Sequence, residues 1–449
     1  MYRVTVLGCI AGAIVLASIS SRAWAQSWPL YQGDPGHTGY VAVSLNPDDF
    51  ELRWQRTIRN DYDLNPATAA DGRVFVSEVT YFNDGGLWVL DSATGEPLWN
   101  VTYGSVFSVN PPSYAFGQVY IQTGNHSSDT YLRAYDADTG SEVFTAPHAA
   151  QWEQYFAPTV HPDGTVYVNG GYYGGMYAFD ALDGAQLWFH DLPQYDEWTP
   201  AVDDTRAYSY VGEYAPGLYV FDRFTGAQEY MIPDDGFDWN GWSMQLAPVL
   251  GRQDNALAIH DGRLISFDLS DQSIGWQLDK DFSGQPSLAN GAIYAIDAGA
   301  LTVLDEATGA SSWSWEAPAG LIGAIIVTDS HALATTDSAV YAVDLTTHEA
   351  VWSFDASGHL ALDISDGVLI IAGDNGLLTA IDLIGSADCD GDANGDGTVD
   401  PLDSGYVLSR FGCPVGTGDP GCDAADQNDD GSVDPLDSGY VLARFGPCE

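Results

Sequence analysis

Two runs of oxygen-bearing residues near the end of the chain have the spacing of calcium-binding loops. Each run places Asp or Asn at loop positions 1, 3, 5, 9 and 12, glycine at position 6 and a backbone carbonyl at position 7. Calcium takes about six to eight oxygen ligands, which this spacing supplies. The predicted ligands are Asp392, Asn394, Asp396, Thr398, Asp400 and Asp403 in the first loop and Asp426, Asn428, Asp430, Ser432, Asp434 and Asp437 in the second. We expect two bound Ca²⁺ ions; the alternative is an acidic, solvated tail without metal.

The segment that follows each loop is nearly the same in both copies. Residues 401–412 read Pro-Leu-Asp-Ser-Gly-Tyr-Val-Leu-Ser-Arg-Phe-Gly, and residues 435–446 repeat them with alanine in place of one serine. Position 8 of each loop is a valine, Val399 or Val433. These two valines are expected to pair with each other as a short strand.

This duplicated tail resembles a type I dockerin over about residues 389–447. The resemblance implies one helix after each loop, and therefore a small α-helical domain with two EF-hand-like calcium loops at 386–449. It also implies docking onto a cohesin-like domain of another protein, in two orientations related by a half-turn. The recognition positions of that family fall here on Pro401, Leu402, Leu408, Ser409, Pro435, Leu436, Leu442 and Ala443. These residues differ from the polar and basic ones common in cellulolytic dockerins.

Four cysteines lie in the tail, and they can pair in three ways. In the dockerin arrangement the two chain ends meet, so the resemblance implies a disulfide between Cys389 and Cys448. The half-turn symmetry of the tail then relates that pair to Cys413 and Cys422. The other pairings stay open at this point.

The chain before the tail carries a second, longer repeat. Seven aspartates stand 37 to 46 residues apart, and each is followed eight residues later by an aromatic residue. The pairs are Asp91 and Trp99, Asp136 and Phe144, Asp180 and Trp188, Asp222 and Tyr230, Asp268 and Trp276, Asp305 and Trp313, and Asp344 and Trp352. A glycine stands four residues after the Asp in every copy except the fifth and seventh. Each Asp-x-x-x-Gly is expected to reverse the chain between two strands, because Asp caps backbone N–H groups and Gly accepts a positive φ.

The strands around these turns indicate an all-β propeller. Stretches such as 87–90 and 176–179 are rich in β-branched and aromatic residues, and upstream hairpins bring each repeat to about four strands. Asp382 begins an eighth copy of the repeat, but no aromatic residue stands eight positions after it. Trp54 lies in a strand of the right kind, but no Asp-containing turn precedes it. The strand around Trp54 is therefore expected to complete the last blade, which gives eight blades over 26–385. An open solenoid is the alternative.

This pattern resembles the quinoprotein-type propellers with PQQ-like repeats and a tryptophan-docking motif. The segment Tyr31-Gln-Gly-Asp-Pro-Gly-His-Thr-Gly-Tyr40 also resembles one that often begins such domains. The resemblance implies a quinone-dependent dehydrogenase as one function. Its PQQ site would need adjacent cysteines and basic side chains for three carboxylates, whereas residues 26–385 contain no cysteine and ten basic residues. PQQ is therefore not expected.

The first residues and the overall charge indicate where the protein works. Residues 1–25 have the basic start, apolar run and Ala-Trp-Ala end of a secretory signal peptide, so we expect a secreted protein, extracellular or at the cell surface. No other segment has the length and hydropathy of a membrane span. With 63 acidic and 14 basic residues, the chain is unsuited to binding nucleic acid or an anionic membrane.

The sequence favours binding over catalysis. No serine elbow, phosphate loop or zinc spacing is present, and acidic residues are too numerous to single out a catalytic pair. Aromatic residues enrich the connections into blades three to five, which suits a polysaccharide or peptide ligand, with inter-blade packing as the alternative. The candidates are Trp152, Tyr155, Trp198, Trp239 and Trp242. We expect a non-catalytic scaffold in a complex that degrades polysaccharide; a glycoside hydrolase is the first alternative and a PQQ-dependent dehydrogenase the second.

Overall fold

Antiparallel strands occupy most of the chain between residues 51 and 382. The computed structural model describes residues 27–124, 130–149, 157–170, 174–192, 199–212, 215–238, 246–383, 393, 398–399, 401–413, 422, 425–427, 431–442 and 446–447. Strand β1 (Glu51–Thr57) follows a short 3-10 helix (Pro47–Asp49) and precedes the first complete unit of strands.

The next four units are separate sheets in which consecutive strands pair, with one exception in unit 2. Unit 1 holds β2 (Thr68–Ala70), β3 (Arg73–Ser77), β4 (Asn83–Asp91) and β5 (Pro97–Val106). Unit 2 holds β6 (Ser108–Val109), β7 (Ser113–Ala115), β8 (Gln118–Gly124), β9 (Thr130–Asp136) and β10 (Glu142–His148), and its strands β6 and β7 both pair with β8. Unit 3 holds β11 (Thr159–His161), β12 (Thr165–Asn169), β13 (Gly175–Asp180) and β14 (Gln186–Asp191). Unit 4 holds β15 (Ala201–Val202), β16 (Arg206–Val211), β17 (Gly217–Asp222) and β18 (Gln228–Pro233).

Units 5, 6 and 7 share one sheet because β22 runs from unit 5 into unit 6 and meets β26 at Gln285 and Ala324. Unit 5 holds β19 (Val249–Leu250), β20 (Asn255–His260), β21 (Gly262–Asp268) and the start of β22 (Ser273–Ala289). Unit 6 holds the end of β22 with β23 (Ala292–Asp297), β24 (Ala300–Asp305) and β25 (Ser311–Glu316). Unit 7 holds β26 (Leu321–Val327), β27 (His331–Thr336), β28 (Val340–Asp344) and β29 (Ala350–Phe354).

The first strand of the chain completes the last unit, as the sequence predicted. Unit 8 holds β30 (His359–Asp363), β31 (Val368–Ala372), a 3-10 turn (Asp374–Gly376) and β32 (Leu377–Asp382), and β1 pairs antiparallel with β32. Trp54 stands opposite Ala380, and the Arg53 Nε donates to Asp382 at 2.6 Å. The two ends of the strand array are thereby joined by backbone hydrogen bonds.

Burial explains the composition of the strands. Every residue of β12 and β31 is buried, and β31 reads Val-Leu-Ile-Ile-Ala, because both faces of an inner strand pack against neighbouring units. The fourth strand of a unit is less buried, as in Ser311–Glu316, where no residue is fully buried and half-buried Trp313 and Trp315 alternate with exposed residues. One buried cluster joins Val89 of unit 1 to Ile121 of unit 2, so the core lies between units as well as within them.

The docking aromatics join each unit to the next. The Trp99 Nε1 donates to the Ala137 carbonyl at 2.8 Å, and its ring lies on Gly140, where a Cβ would come within 2.7 Å of the indole. In the two copies that lack the turn glycine, Gln272 (φ 52°) and His348 (φ 61°) adopt the left-handed conformation instead. His348 stacks on Trp313 with ring centroids 4.2 Å apart, so the docking contact is kept with a side chain in place of a glycine.

Replacing Trp99 with phenylalanine is expected to lower the free energy of unfolding by about 1–3 kcal/mol, because the buried Ala137 carbonyl loses its donor. The control is Trp315→Phe, since Trp315 is half-buried against Tyr341 and its indole N–H has no hydrogen bond among the described residues. Urea denaturation followed by tryptophan fluorescence measures both. Equal losses in the two variants would contradict the assigned role of the indole N–H.

Residues 28–45, here called the axial segment, run along the first strands of six units. The Ala69, Tyr114, Val202, Leu250, Leu288 and Val327 backbones, in units 1, 2, 4, 5, 6 and 7, each hydrogen-bond to this segment. Gly33, Gly36 and Gly39 occur at every third position of it, and a Cβ at Gly39 would lie 2.1 Å from the Ser287 Oγ. The segment therefore links units that are remote in sequence.

The tail forms two short helices, and backbone segments of its two halves pair with each other. Helix α1 spans Pro401–Leu408 and α2 spans Pro435–Leu442, and both pack on a cluster of Ala393, Val399, Val407, Ala425, Val433 and Val441. Strand β33 (Thr398–Val399) pairs with β34 (Gly446–Pro447), and the Gly412 N–H donates to the Val433 carbonyl at 2.9 Å. The expected pairing of Val399 with Val433 is wrong. Val399 pairs with Gly446, which follows α2, and Val433 bonds to Gly412, which follows α1. Among the described residues, no helix has the length and apolar character needed to cross a membrane.

Candidate functional site

The second predicted calcium loop is described in part, and its carboxylates fold back on the loop backbone. The Asp426 Oδ2 accepts the Gly431 N–H at 2.8 Å, which links loop positions 1 and 6. The Asp437 Oδ2 accepts the Asp434 N–H at 2.8 Å, which links positions 12 and 9. Asp437 is fully buried and Asp426 nearly so. Burying a carboxylate is unfavourable unless hydrogen bonds or a cation compensate its charge.

Only one of the first loop's predicted side-chain ligands is described. Asp403 is fully buried at the start of α1, in the same place as Asp437 in α2. Thr398 lies in β33, whose backbone is described, and Ser432 is exposed. The remaining predicted ligands, Asp392, Asn394, Asp396, Asp400, Asn428 and Asp430, lie outside the described residues. Within the part of the chain that is described, no three His, Cys, Asp or Glu side chains are gathered closely enough to hold a metal ion.

The predicted recognition residues expose matching leucines on the two helices. Leu402 is 66% exposed and Leu436 is 65% exposed, while Leu408 and Leu442 are 53% and 56% exposed. Pro401, Ser409 and Pro435 are also exposed, and Ala443 lies outside the described residues. Large apolar side chains that remain in solvent at equivalent positions form two similar surfaces, one on each helix.

A disulfide joins Cys413 to Cys422, with Cα atoms 5.6 Å apart. It connects the end of α1 to the start of the second half of the tail. The resemblance implied this pair together with Cys389 and Cys448, which lie outside the described residues.

A cavity of about 220 Å³ lies beside the axial segment. It is lined by Trp28, Tyr31, Gln32, Pro66, Ala67, Thr199, Leu246, Gly284, Gln285, Gly323, Ala324, His359 and Leu360. Gln285 is held in place, since its amide donates to the Ala247 carbonyl at 3.0 Å and accepts the Ala247 N–H at 2.9 Å. The cavity thus has aromatic and apolar walls and a few fixed amide groups.

The ionisable groups of this cavity are neutral near pH 7. Burial raises the pKa of Tyr31, and desolvation lowers the pKa of His359 to about 4. Among the described residues that line it, none is Lys or Arg. A cofactor with three carboxylates would lose its hydration against these residues without gaining a cation, so the described part of the lining does not fit PQQ.

The predicted aromatic rim residues Trp152, Tyr155, Trp198, Trp239 and Trp242 lie outside the described residues. The described chain just before Trp239 is firmly anchored. Asp234 is fully buried and accepts two hydrogen bonds from Arg263, at 2.6 and 3.1 Å, and one from the Tyr210 hydroxyl at 2.6 Å. Phe237 stacks on His260 with centroids 4.2 Å apart.

The axial segment and its cavity residues were not among the sites predicted from sequence. The sequence of this segment indicates only a resemblance to one that often begins such domains. A usable signal was present in Gly33, Gly36 and Gly39, because glycines at regular spacing mark places where another backbone approaches closely. His359 and Gln285 carry no signal in the sequence, since they lie in strands of ordinary composition.

Comparison with known proteins agrees with the repeat and the strand units. The chain matches the family described as outer membrane protein assembly factor BamB at residues 37–153, 128–277 and 260–387. No curated protein matches the sequence significantly.

Solved structures resemble this fold at low identity. BamB from Moraxella catarrhalis is 16% identical with a TM-score of 0.57, covering 74% of this chain and 99% of its own. A europium-containing methanol dehydrogenase is 13% identical with a TM-score of 0.64, covering 80% and 98%. The computationally designed Ika8 protein is 12% identical with a TM-score of 0.56, covering 72% and 97%. These likenesses show a quinoprotein-type propeller fold, and the extent of the family match shows that this chain belongs to the BamB family of PQQ-like repeat proteins.

Proposed function

We propose that this protein is a non-catalytic binding or scaffold module, secreted to the outside or surface of the cell. Its propeller would be attached through a calcium-dependent, dockerin-like tail to a cohesin-like domain of another protein. The observation that carries the proposal is the two-fold repetition of the tail, in which each helix exposes a matching pair of leucines.

The packing of the tail supports this role. Val407 and Val441 occupy equivalent buried places, and the halves exchange backbone contacts through β33 with β34 and through Gly412 with Val433. Two equivalent helices in one small domain offer a partner the same surface twice. Buried Asp403 and Asp437 begin the helices at loop position 12, where a calcium loop places an acidic ligand.

The strand units support a closed, eight-bladed propeller. Units 1 to 8 follow one another at the spacing of the docking aromatics, and β1 closes unit 8 by pairing with β32. Closure of the ring would remove the free sheet edges that an open array of the same units leaves at its two ends.

Calcium-dependent capture of a partner is the test. Immobilised full-length protein should retain a protein with a cohesin-like domain from the native secretome in Ca²⁺, and release it in chelator, because the loops order only with bound ions. Leu402→Arg alone should leave capture nearly unchanged, since the second helix still docks. Leu402→Arg with Leu436→Arg should abolish it.

Leu182→Arg is the matched control, because Leu182 is 67% exposed on a turn of unit 3, remote in sequence from the tail. Mass spectrometry identifies what is captured. Retention that survives chelator, or a retained set without any cohesin-like domain, would overturn the proposal. Circular dichroism of the full chain with and without Ca²⁺ shows separately whether the tail helices depend on the ion.

A PQQ-dependent dehydrogenase is the second candidate, favoured by the fold shared with a methanol dehydrogenase. The neutral cavity lining argues against it. Dye reduction by alcohols or sugars after addition of PQQ and a metal ion decides the point. Release of reducing sugar from extracellular polysaccharides tests the remaining alternative, a glycoside hydrolase.

A further inference from the structure

Three aromatic rings meet at one corner of unit 1, and they are here called the aromatic corner: Tyr81, Phe82 and Phe107. The ring centroids are 5.1 to 5.4 Å apart, and every pair is inclined by 60° or more. Phe107 is 2% exposed, whereas Tyr81 is 58% and Phe82 is 43% exposed. A buried ring therefore supports two rings that project into solvent.

Phe82 is displayed in an unfavourable backbone conformation. Its φ is 55°, in the left-handed region that residues with a bulky side chain rarely adopt. The connection is built to hold it there, since the Ser105 hydroxyl donates to the Phe82 carbonyl at 2.7 Å. A Cβ at Gly85 would come within 2.2 Å of Thr80, so the chain is tightly folded beside it. Phe116 has a similar φ of 53° but packs against a buried cluster, whereas the Phe82 ring projects into solvent. Residues held in such conformations concentrate at binding sites.

Hydrogen-bonding groups lie beside the aromatic corner. The Arg59 guanidinium donates to the Asp84 carbonyl at 2.6 Å and lies over the Tyr62 ring, 4.2 Å from its centroid. It also pairs with the buried Glu78 at 3.1 Å, which accepts the Trp88 indole N–H at 3.0 Å. The Asp84 side chain is 54% exposed. The exposed acceptor, Asp84, therefore stands two or three residues from the exposed rings in sequence. The charged donor, Arg59, contacts the connection that carries these rings.

We propose that the aromatic corner binds a pyranose unit of a neutral oligosaccharide. This inference deepens the proposed binding role by naming the class of ligand. A pyranose has an apolar C–H face and a rim of hydroxyls, which match two aromatic rings set at 77° and the polar groups of Arg59 and Asp84. The formal charge of −49 disfavours uronates and other anionic glycans. Two exposed rings are too small an area for a stable protein interface.

The test uses full-length protein with cello-, xylo-, manno- and laminari-oligosaccharides and, as an anionic comparison, oligogalacturonate. Isothermal titration calorimetry should detect binding of at least one neutral series and none of the oligogalacturonate. Phe82→Gly should weaken that binding about tenfold or more. The same substitution should leave the melting temperature unchanged or raised, because glycine accepts a positive φ.

Phe224→Ala is the matched control, since Phe224 is 62% exposed on a turn of unit 4 and contacts Arg223 in the same way that Tyr62 contacts Arg59. It should bind sugar like the parent. Tyr81→Ala provides a second loss-of-binding variant that does not alter the strained residue. Absence of binding to every neutral series, or parental affinity in Phe82→Gly, overturns the inference. Capture of a cohesin-like partner by protein that binds no sugar would sink this inference and leave the proposed attachment intact.

Discussion

Replacing Gly39 with alanine is expected to lower the free energy of unfolding by about 2–5 kcal/mol, one of the largest effects available to a single added methyl group here. Gly39 has φ 64°, and a Cβ there would lie 2.1 Å from the Ser287 Oγ and 2.8 Å from the Gln32 Nε2. Its carbonyl also accepts the Val327 N–H at 2.8 Å. The methyl group would push the axial segment away from units 6 and 7 together.

The control for this prediction is Gly72→Ala. Gly72 has φ 72°, nearly the same conformation, but a Cβ there would meet nothing within 4 Å. This control should lose only about 1 kcal/mol, which is the conformational penalty without the collision. Urea denaturation of the three proteins separates the two contributions. Equal losses would show that the axial segment does not hold the units together.

Replacing Asp234 with alanine is expected to lower the free energy of unfolding by about 3–5 kcal/mol. The change leaves the Arg263 guanidinium, whose side chain is 10% exposed, without its bidentate partner. Glu229→Ala is the control, because Glu229 pairs with Arg206 at 2.8 Å where both side chains are about one-third exposed. That exposed pair should contribute about 0–1 kcal/mol. Thermal and urea unfolding measure both, and similar losses in the two variants would argue against a special role for the buried pair.

The same pair gives the protein an acid limit. Burial would raise the pKa of Asp234, but hydrogen bonds from Arg263 and Tyr210 and the arginine's charge outweigh burial and hold the pKa below its ordinary value. A carboxyl with a lowered folded-state pKa contributes stability above the unfolded-state pKa of about 4, and that contribution is lost as pH falls through the folded-state pKa. The difference in stability between the parent and Asp234→Ala should therefore shrink below about pH 4.

Much of the strand arrangement could be predicted because its signals are local. The Asp-x-x-x-Gly turns and their aromatic residues indicate where strands end. Trp54 has no such turn before it, and this indicated that its strand belongs to the last unit. The register of Trp54 opposite Ala380 follows from that complementarity. The helices after the two loops were instead implied by the resemblance of the tail to a type I dockerin.

The features that could not be predicted depend on contacts between distant residues or on backbone conformation. Val399 pairs with Gly446 because the two halves of the tail exchange partners, which the similarity of Val399 and Val433 does not reveal. A left-handed Phe82 has no sequence signature, since phenylalanine rarely adopts that conformation. Likewise, β22 passes from unit 5 into unit 6 without the break that a unit boundary would suggest.

The axial segment and β1 together limit the order in which the protein can fold. Gln32 hydrogen-bonds to the Ile325 carbonyl, 293 residues later, and Arg53 bonds to Asp382, 329 residues later. During synthesis at about 5–20 residues per second, the earliest part of the strand array must wait tens of seconds for its partners to appear. Contacts of such high sequence separation are slow to form, because chain entropy is lost before these contacts stabilise the fold. The two ends of the strand array should therefore remain unjoined until the last unit has been made.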